Sequence, residues 1–468
     1  MPLVPIEYPP GIYRNGTEYQ SSGRYHDGQL VRWDDGIVKP MGGWQDIAGP
    51  AAIRGPARNV FAWTDENFST LIMVLTGMQV KTIDDGVLSE GRTAVGAVLD
   101  ENGIWTGGTL GQNAIACMDL DGVIMQWSPG ESRMAPLENA PTATACAITE
   151  QGFVFALGAD GDPRSVRTSN LRQPTVWDPL LTNQARQFTL QTSGQIMCAE
   201  QVQGGLLVLT TEDIHLFQYT GVDPLYHRQQ KIPGSRGIVS RNAAVSSGET
   251  CYFMGTQNFW AFNGLISAMP CDVEDDVFSN VNKAHAHKVF GFHNADEQEI
   301  WWLYPRGDAT ENSHYVIYNY QQRHWNHGEL DRQVAVGPGG GVERPIMVGT
   351  DPASPNFSQI FEHETGFDHG GVMPFVEGGP VELGNGDYIA DCFRMIPDEQ
   401  TTGDIEVMVK SRVYPNAEQE TFGPYQSENP MSVRFSGRQV SLRFQSTVSA
   451  DFRIGKYRAD IQRSGARL

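Results

Sequence analysis

The sequence predicts an all-β protein, a β-propeller followed by a small C-terminal β-sandwich, and three observations lead there. Hairpin-like units recur along the chain at intervals of about 45 residues, the length of one four-stranded propeller blade. Among 468 residues there are 51 Gly, 27 Pro and 10 Trp, a turn-rich composition that suits strands better than helices. No long segment carries an apolar stripe at i, i+3, i+4, i+7, so helices are expected to be few and short.

The clearest unit is Cys251 to Gly264, CYFMGTQNFWAFNG, two apolar and aromatic runs held apart by Gly-Thr-Gln-Asn and closed by Asn-Gly. Its Phe259, Trp260 and Phe262 are expected to fill the tapering space between neighbouring blades. Looser versions occupy residues 59–86, 113–127, 144–158, 195–219 and 287–325. The hairpin around Asp34-Asp35-Gly36 within residues 28–44 and the pair 344–351 and 358–366 are expected to join as a composite seventh blade, with six blades as the alternative. After Gly370 comes a Gly/Pro-rich stretch, followed by long runs of strict apolar–polar alternation that put one strand face on a core and one in water. The expected division is an N-terminal extension and blade-closing hairpin over 1–50, a propeller over 51–370 and a sandwich over 371–468. A flexible Gly/Pro linker near residues 370–386 would make the sandwich separable.

The net charge of −21 argues against coating nucleic acid, which requires a basic footprint. The charge is uneven: residues 431–468 hold eight basic and two acidic side chains, a net of +6, leaving −27 upstream. No apolar run is long enough to span a bilayer and the N-terminus lacks a signal core, so a cytosolic site of synthesis and no membrane span are expected. The six cysteines lack metal spacing and sit in apolar context, which reads as small reduced core residues.

Few residue patterns in the chain carry chemistry. His285, His287 and His293 resemble a metal cluster but lack a further ligand at suitable spacing; like His324, His327, His363 and His369 they read as polar positions on blade edges. The pairs Asp34-Asp35 and Asp84-Asp85 precede glycines at hairpin tips, where Asp serves turn geometry, though a glycosidase needs only two carboxylates across a cleft. There is no nucleophile elbow, Walker loop or dinucleotide fingerprint. The expectation is therefore a protein that is not an enzyme, with no catalytic, metal or cofactor-binding residues.

Five stretches carry a resemblance: GIYRNGTEYQSSGRYHDGQLVRWDDGIVKPMGGW, GADGDPRSVRTSNLRQPTVWDPLLTNQA, NFWAFNGLISAMPCDVEDDVF, EIWWLYPRGDATENSHYVIYNYQQRHW and RFSGRQVSLRFQSTVSADFRIGKYRADIQRSGAR. Spread in order over nearly the whole chain, they resemble a family of bacteriophage tail structural proteins, most of all the β-propeller tail nozzle of short-tailed phages. The resemblance implies a virion protein assembled in the host cytoplasm, a homo-oligomer of six copies ringing the channel below portal and adaptor, with a tail fibre or needle as a further neighbour and DNA passing through without sequence-specific binding. On that footing the basic C-terminal region, with Arg438, Arg443, Arg453, Lys456 and Arg458, is expected to contact an acidic neighbour. Asp272, Glu274, Asp275 and Asp276 are expected among the residues lining an acidic channel that repels and centres DNA. The alternative is a virion-associated glycan-binding or glycan-cleaving propeller. Exposed Trp177 or Trp325 would favour binding, and a carboxylate buried in the propeller mouth would favour cleavage.

Overall fold

A computed structural model describes residues 3–47, 53–84, 87–90, 100–351, 354–383 and 388–464. Six consecutive antiparallel four-stranded sheets occupy residues 57–90, 105–136, 145–189, 196–231, 244–268 and 290–329, each with its strands in chain order. These are blades 1 to 6 of a β-propeller. Blade 7 is built from Val334–Val336, Ile346–Asp351 and Ser354–His363, and its outer strand, Trp44–Asp46, comes from the N-terminal region. The first strand of each blade packs beside the first strand of the next, and Val334–Val336 meets Ala57–Thr64 of blade 1, which closes the ring.

Strand Thr70–Thr76 (TLIMVLT) shows why continuous apolar runs mark inner blade strands. Blades cover both of its faces, and every residue after Thr70 is buried. Phe259 does the packing expected of it: fully buried, it has its ring 4.8 Å from both Trp302 and Trp325 of blade 6. Such a side chain contributes about 1.5–3 kcal/mol by leaving water. All six cysteines are free and buried.

The second unit is a sandwich of two sheets. One runs Leu3–Ile6, Tyr457–Arg463, Ala390–Pro397, Met431–Gly437; the other joins Tyr25–Gln29, Phe375–Gly378, Gln439–Ser446, Ile405–Arg412 and Glu420–Gln426, with Val381–Glu382 alongside. Met431–Gly437 alternates buried and exposed at every residue, the pattern read from the sequence.

The N-terminal region departs from expectation. Its hairpin, Val31–Asp34 with Ile37–Pro40, is a separate two-stranded sheet and not part of blade 7; the closing strand is the short segment after it. The reason lies in its faces. Val31, Trp33 and Val38 sink into a core shared with Tyr25, Phe452 and Ile454 of the sandwich, while Arg32 on the opposite face enters blade 6 and blade 7. Strands 3–6 and 25–29 belong to the sandwich. The stretch read as a flexible linker contains a paired strand, Phe375–Gly378, bonded on both sides. Asp85, Arg467 and linker residues 384–387 lie outside the described residues.

One apolar core runs from blades 4, 5 and 6 through the N-terminal segment into the sandwich. Gly328 permits a close approach at this seam: a Cβ there would lie 2.3 Å from the Tyr315 hydroxyl and 2.6 Å from Gln29 Oε1. With only hydrogen present, Gln29 Nε2 donates to the Glu329 carbonyl at 2.6 Å and Gln29 Oε1 accepts from the Glu329 amide at 2.7 Å, sewing a sandwich strand to the outer strand of blade 6.

Candidate functional site

The acidic residues singled out in the sequence lie between blades 5 and 6, where Glu274–Asn280 forms the one α-helix of the described residues. They are bonded by donors of this same chain, and two of them, Asp272 and Asp276, by arginines. Asp272 accepts from Arg24 at 2.6 Å, Asp275 Oδ2 accepts the Gly16 amide at 3.0 Å, and Glu274 accepts from Asn258. Asp276 takes a two-pronged contact from Arg306 at 2.6 and 2.9 Å, with Arg14 Nε 3.6 Å away. Burial would raise its carboxyl, but the Arg306 hydrogen bonds and the Arg14 charge outweigh burial and hold it below the ordinary range. Asp272, Asp275 and Asp276 anchor the N-terminal segment to the propeller, while Glu274 bonds to blade 5.

The basic residues separate into two kinds. Arg453, Lys456 and Arg458 are exposed, with Lys456 Nζ 2.8 Å from Glu7. Arg438 and Arg443 are half-buried; Arg443 lies 3.5 Å over the Phe375 ring and 3.7 Å from Glu377.

Beside the anchor opens a cleft of about 1080 Å³, with one wall from blade 6, a floor from blade 7 and the other wall from Tyr25–Gln29 and the start of the sandwich. Arg14, Arg306, His314 and His327 line its inner end. Burial, then the Arg14 charge, pushes His327 down to about 3; burial, then Arg306, pushes His314 to about 4, so both are neutral at pH 7. On the floor, the Arg332 guanidinium lies 3.8 Å from the centre of Phe361 and 4.9 Å from that of Trp44. His363 stacks on Trp44 at 5.1 Å and accepts from Arg332 Nε at 3.0 Å, and His369 meets the edge of Trp44 at 5.4 Å.

The histidines read as blade-edge polar positions are thus corrected. His324, His327, His363 and His369 are all buried, and His285 caps a 3-10 turn that contains His287, so the two do not share a strand face. Their context was hidden because the covering residues, Trp33, Arg14 and Trp44, lie some 300 positions away in the chain. Arg332 and Gly349 were missed for the same reason. Arg332 sits between Asp331 and Gln333 in the connection from blade 6 to blade 7, where a charged residue gives no local signal of burial.

A second, narrower space of about 160 Å³ lies on the propeller axis, lined by the first strands of several blades and including Asn59, Thr106, Cys146, Glu200, Arg241 and Asn242. Asn59 and Asn242 both donate to the Trp105 carbonyl, and Arg241 is spent on Asp119 and the Met197 carbonyl. Glu200 keeps some contact with channel solvent, but burial among the blades pushes its carboxyl up to about 8 against a weak opposing hydrogen bond from Ser246 at 3.5 Å. Among the described residues no group of three or more His, Cys, Asp or Glu could hold a metal ion, and no helix is long and apolar enough to cross a membrane.

No known family profile and no curated protein matches the chain. Among solved structures it is similar to the β-propeller domain of Cps50 (Swd1) from Myceliophteria thermophila, at 10% identity and TM-score 0.41 over 66% of this chain and 96% of that one. It is also similar to virginiamycin B lyase from Staphylococcus aureus, at 9% identity and TM-score 0.42 over 70% and 98%. The N-terminal domain of Nup159 matches at 9% identity and TM-score 0.40 over 72% and 98%.

Proposed function

We propose that the chain is a structural protein of a phage tail, a rigid block that packs with further copies into a ring around the DNA passage, in the place of a tail nozzle. The observation that carries this reading is the fate of its aromatic residues. Trp177 and Trp325, which a glycan-binding face would present to solvent, are 2% and 1% exposed and serve packing. What the surface does present is aliphatic. Leu180, Leu181, Val222 and Leu225 are 58%, 93%, 64% and 64% exposed on neighbouring loops of blades 3 and 4, tied together by Arg186 through the Asn183 and Pro224 carbonyls. Protruding aliphatic side chains of this kind are expected to be covered by another protein. The resemblance of five ordered stretches to tail proteins supplies the partner class: copies of itself, with portal, adaptor and fibre or needle as neighbours. The DNA passage lies between copies, since the propeller's own axis is too narrow.

Native mass spectrometry and electron microscopy of the purified chain test the reading. Closed rings of about six copies, lost in Leu181→Asp, are expected; a monomer at all concentrations that is absent from phage particles overturns it. Glu200 favours the second reading, glycan cleavage, because it is a carboxylate with a raised pKa on the propeller axis. It stands alone there: a glycosidase needs two carboxylates across a substrate, and Glu200 is the only acid lining that space among the described residues. Hydrolysis of host glycans by the wild type and not by Glu200→Gln would establish that alternative.

A further inference from the structure

We propose that the cleft between blade 7 and the sandwich is a binding site for a carboxylate with an apolar body, received by the Arg332 guanidinium. Three buried arginines occur among the described residues, and comparing them isolates this one. Arg32 takes Glu299 with Nε at 3.2 Å and Nη2 at 3.0 Å, and Arg58 takes Glu311 with Nη1 at 2.6 Å and Nη2 at 2.9 Å. Arg332 is 5% exposed and touches no carboxylate. Its Nε donates to the neutral His363 ring, its Nη1 donates to the Asp331 carbonyl at 2.7 Å, and its Nη2 has no partner. The Asp331 carboxylate, whose charge it feels, accepts instead from Gln333 at 3.0 Å and Thr350 at 3.2 Å. A buried guanidinium without an anion is costly, and such a group is left when its counter-ion arrives from outside.

The surroundings are built for this cation. Trp44 and Phe361 hold it by its π-faces, which leaves its N–H edges for in-plane contacts. Gly349 makes the room: a Cβ there would stand 2.9 Å from Arg332 Nη1 and 3.0 Å from its Cδ. Burial draws the guanidinium down to about 9, which leaves it charged at neutral pH.

The cleft also sets the class of ligand. Leu30, Trp44, Leu330, Phe361, Val372 and Phe375 supply apolar walls, and the volume of about 1080 Å³ is that of a small-molecule site or a short peptide. Of the other charges lining the space, Arg14 is held by Asp27 and Arg306 by Asp276, and Glu329 and Asp331 repel a doubly charged phosphate, so one carboxylate matches the one guanidinium left without an anion. The free acid and the C-terminus of a polypeptide share this chemistry. The site is independent of the chain's role in a virion.

Isothermal titration of the full chain with 3-phenylpropionate and with 3-phenylpropionamide tests it. The acid is expected to bind and the amide not to; Arg332→Met should weaken the acid by about tenfold or more while leaving the fold at least as stable, since an apolar replacement relieves a buried charge. Val372→Trp, at the exposed edge of the cleft, should also weaken binding without touching the guanidinium, and it decides the matter if Arg332→Met does not fold. Equal affinity for acid and amide, undiminished affinity in either folded variant, or no binding of the acid by the wild type overturns the proposal. Gly-Gly-Phe with a free terminus, compared with its amide, assigns the source: tighter binding than 3-phenylpropionate identifies a chain terminus, equal or weaker binding a free acid.

Discussion

Arg32 and Glu299 form a two-pronged ion pair whose side chains are each only 4% exposed, joining the N-terminal hairpin to a central strand of blade 6. Glu364 of blade 7 adds a second carboxylate at 2.7 Å, so one guanidinium pins the hairpin against two blades. Burial, only partly offset by Arg32, pushes the Glu299 carboxyl up to about 6. Removing the cation should therefore hurt more than the pair's own net worth. Arg32→Met is expected to cost about 3–5 kcal/mol by stranding buried carboxylates. The double variant Arg32→Met with Glu299→Gln should recover part of that loss. Equilibrium denaturation of the three proteins checks both statements.

Acid should unfold the protein well before its carboxylates are neutralised. Burial depresses His227, His314 and His324 to about 4 and His327 to about 3. Above pH 6.5 these groups are neutral in folded and unfolded chains alike, and their full stability is present. As pH falls from 6.5 toward 4, or 3 for His327, the unfolded chain binds protons that the folded chain refuses, and each histidine removes up to about 1.4 kcal/mol per pH unit. His227 gives the cleanest test. Neither of its ring nitrogens has a partner, Phe153 and Phe155 lie 4.6 and 5.3 Å away, and Arg186 also disfavours its charge. His227→Phe should flatten the fall in melting temperature between pH 6.5 and 4, whereas an unchanged slope would place the acid sensitivity elsewhere.

The N-terminal 47 residues should be indispensable to both units. They provide the Leu3–Ile6 and Tyr25–Gln29 strands of the sandwich, the hairpin that fills the seam and the outer strand of blade 7. A chain starting at residue 53 is expected to be insoluble or molten, and the fragment 371–468 alone should not fold, because two sheet edges would lose their partners. Circular dichroism and proteolysis of these fragments are the measurements. Protease resistance of the isolated C-terminal fragment would restore the separable sandwich expected from composition.

What was legible in the sequence followed from local chemistry. Alternation over 431–437 marked a half-solvated strand, because side-chain direction in a strand depends only on parity. Phe259 was placed between blades on its hairpin alone. What stayed hidden depends on pairs distant in sequence. The Gly-rich stretch before residue 386 reads as a linker until Tyr25–Gln29 arrives from the other end to pair with Phe375–Gly378. Arg14 and Arg24 carry no pattern that points to Asp276 and Asp272, so those carboxylates read as free surface charge when they are already neutralised. The cleft has no motif, since its floor, walls and cation come from separate elements.

The same division decides how the basic C-terminal region is to be probed. Reversing Arg443 cannot separate docking from folding: it is half-buried, covers the Phe375 ring and stands 3.7 Å from Glu377, which is also bonded by Lys410, so a glutamate there would place two carboxylates together inside a sheet. Arg453 and Arg458 are exposed and have no ion-pair partner among the described residues, so their reversal should change stability by less than about 0.5 kcal/mol. If the proposed acidic neighbour in the particle is real, Arg453→Glu with Arg458→Glu should leave the melting temperature in place and reduce incorporation into particles, more at low salt than at high, since exposed charge contacts are screened over about 8 Å at physiological ionic strength. Arg443→Glu should lower the melting temperature itself. Particles that incorporate the double variant normally at low salt would remove the basic surface from the assembly contacts and leave the aliphatic loops of blades 3 and 4 as the surface to pursue.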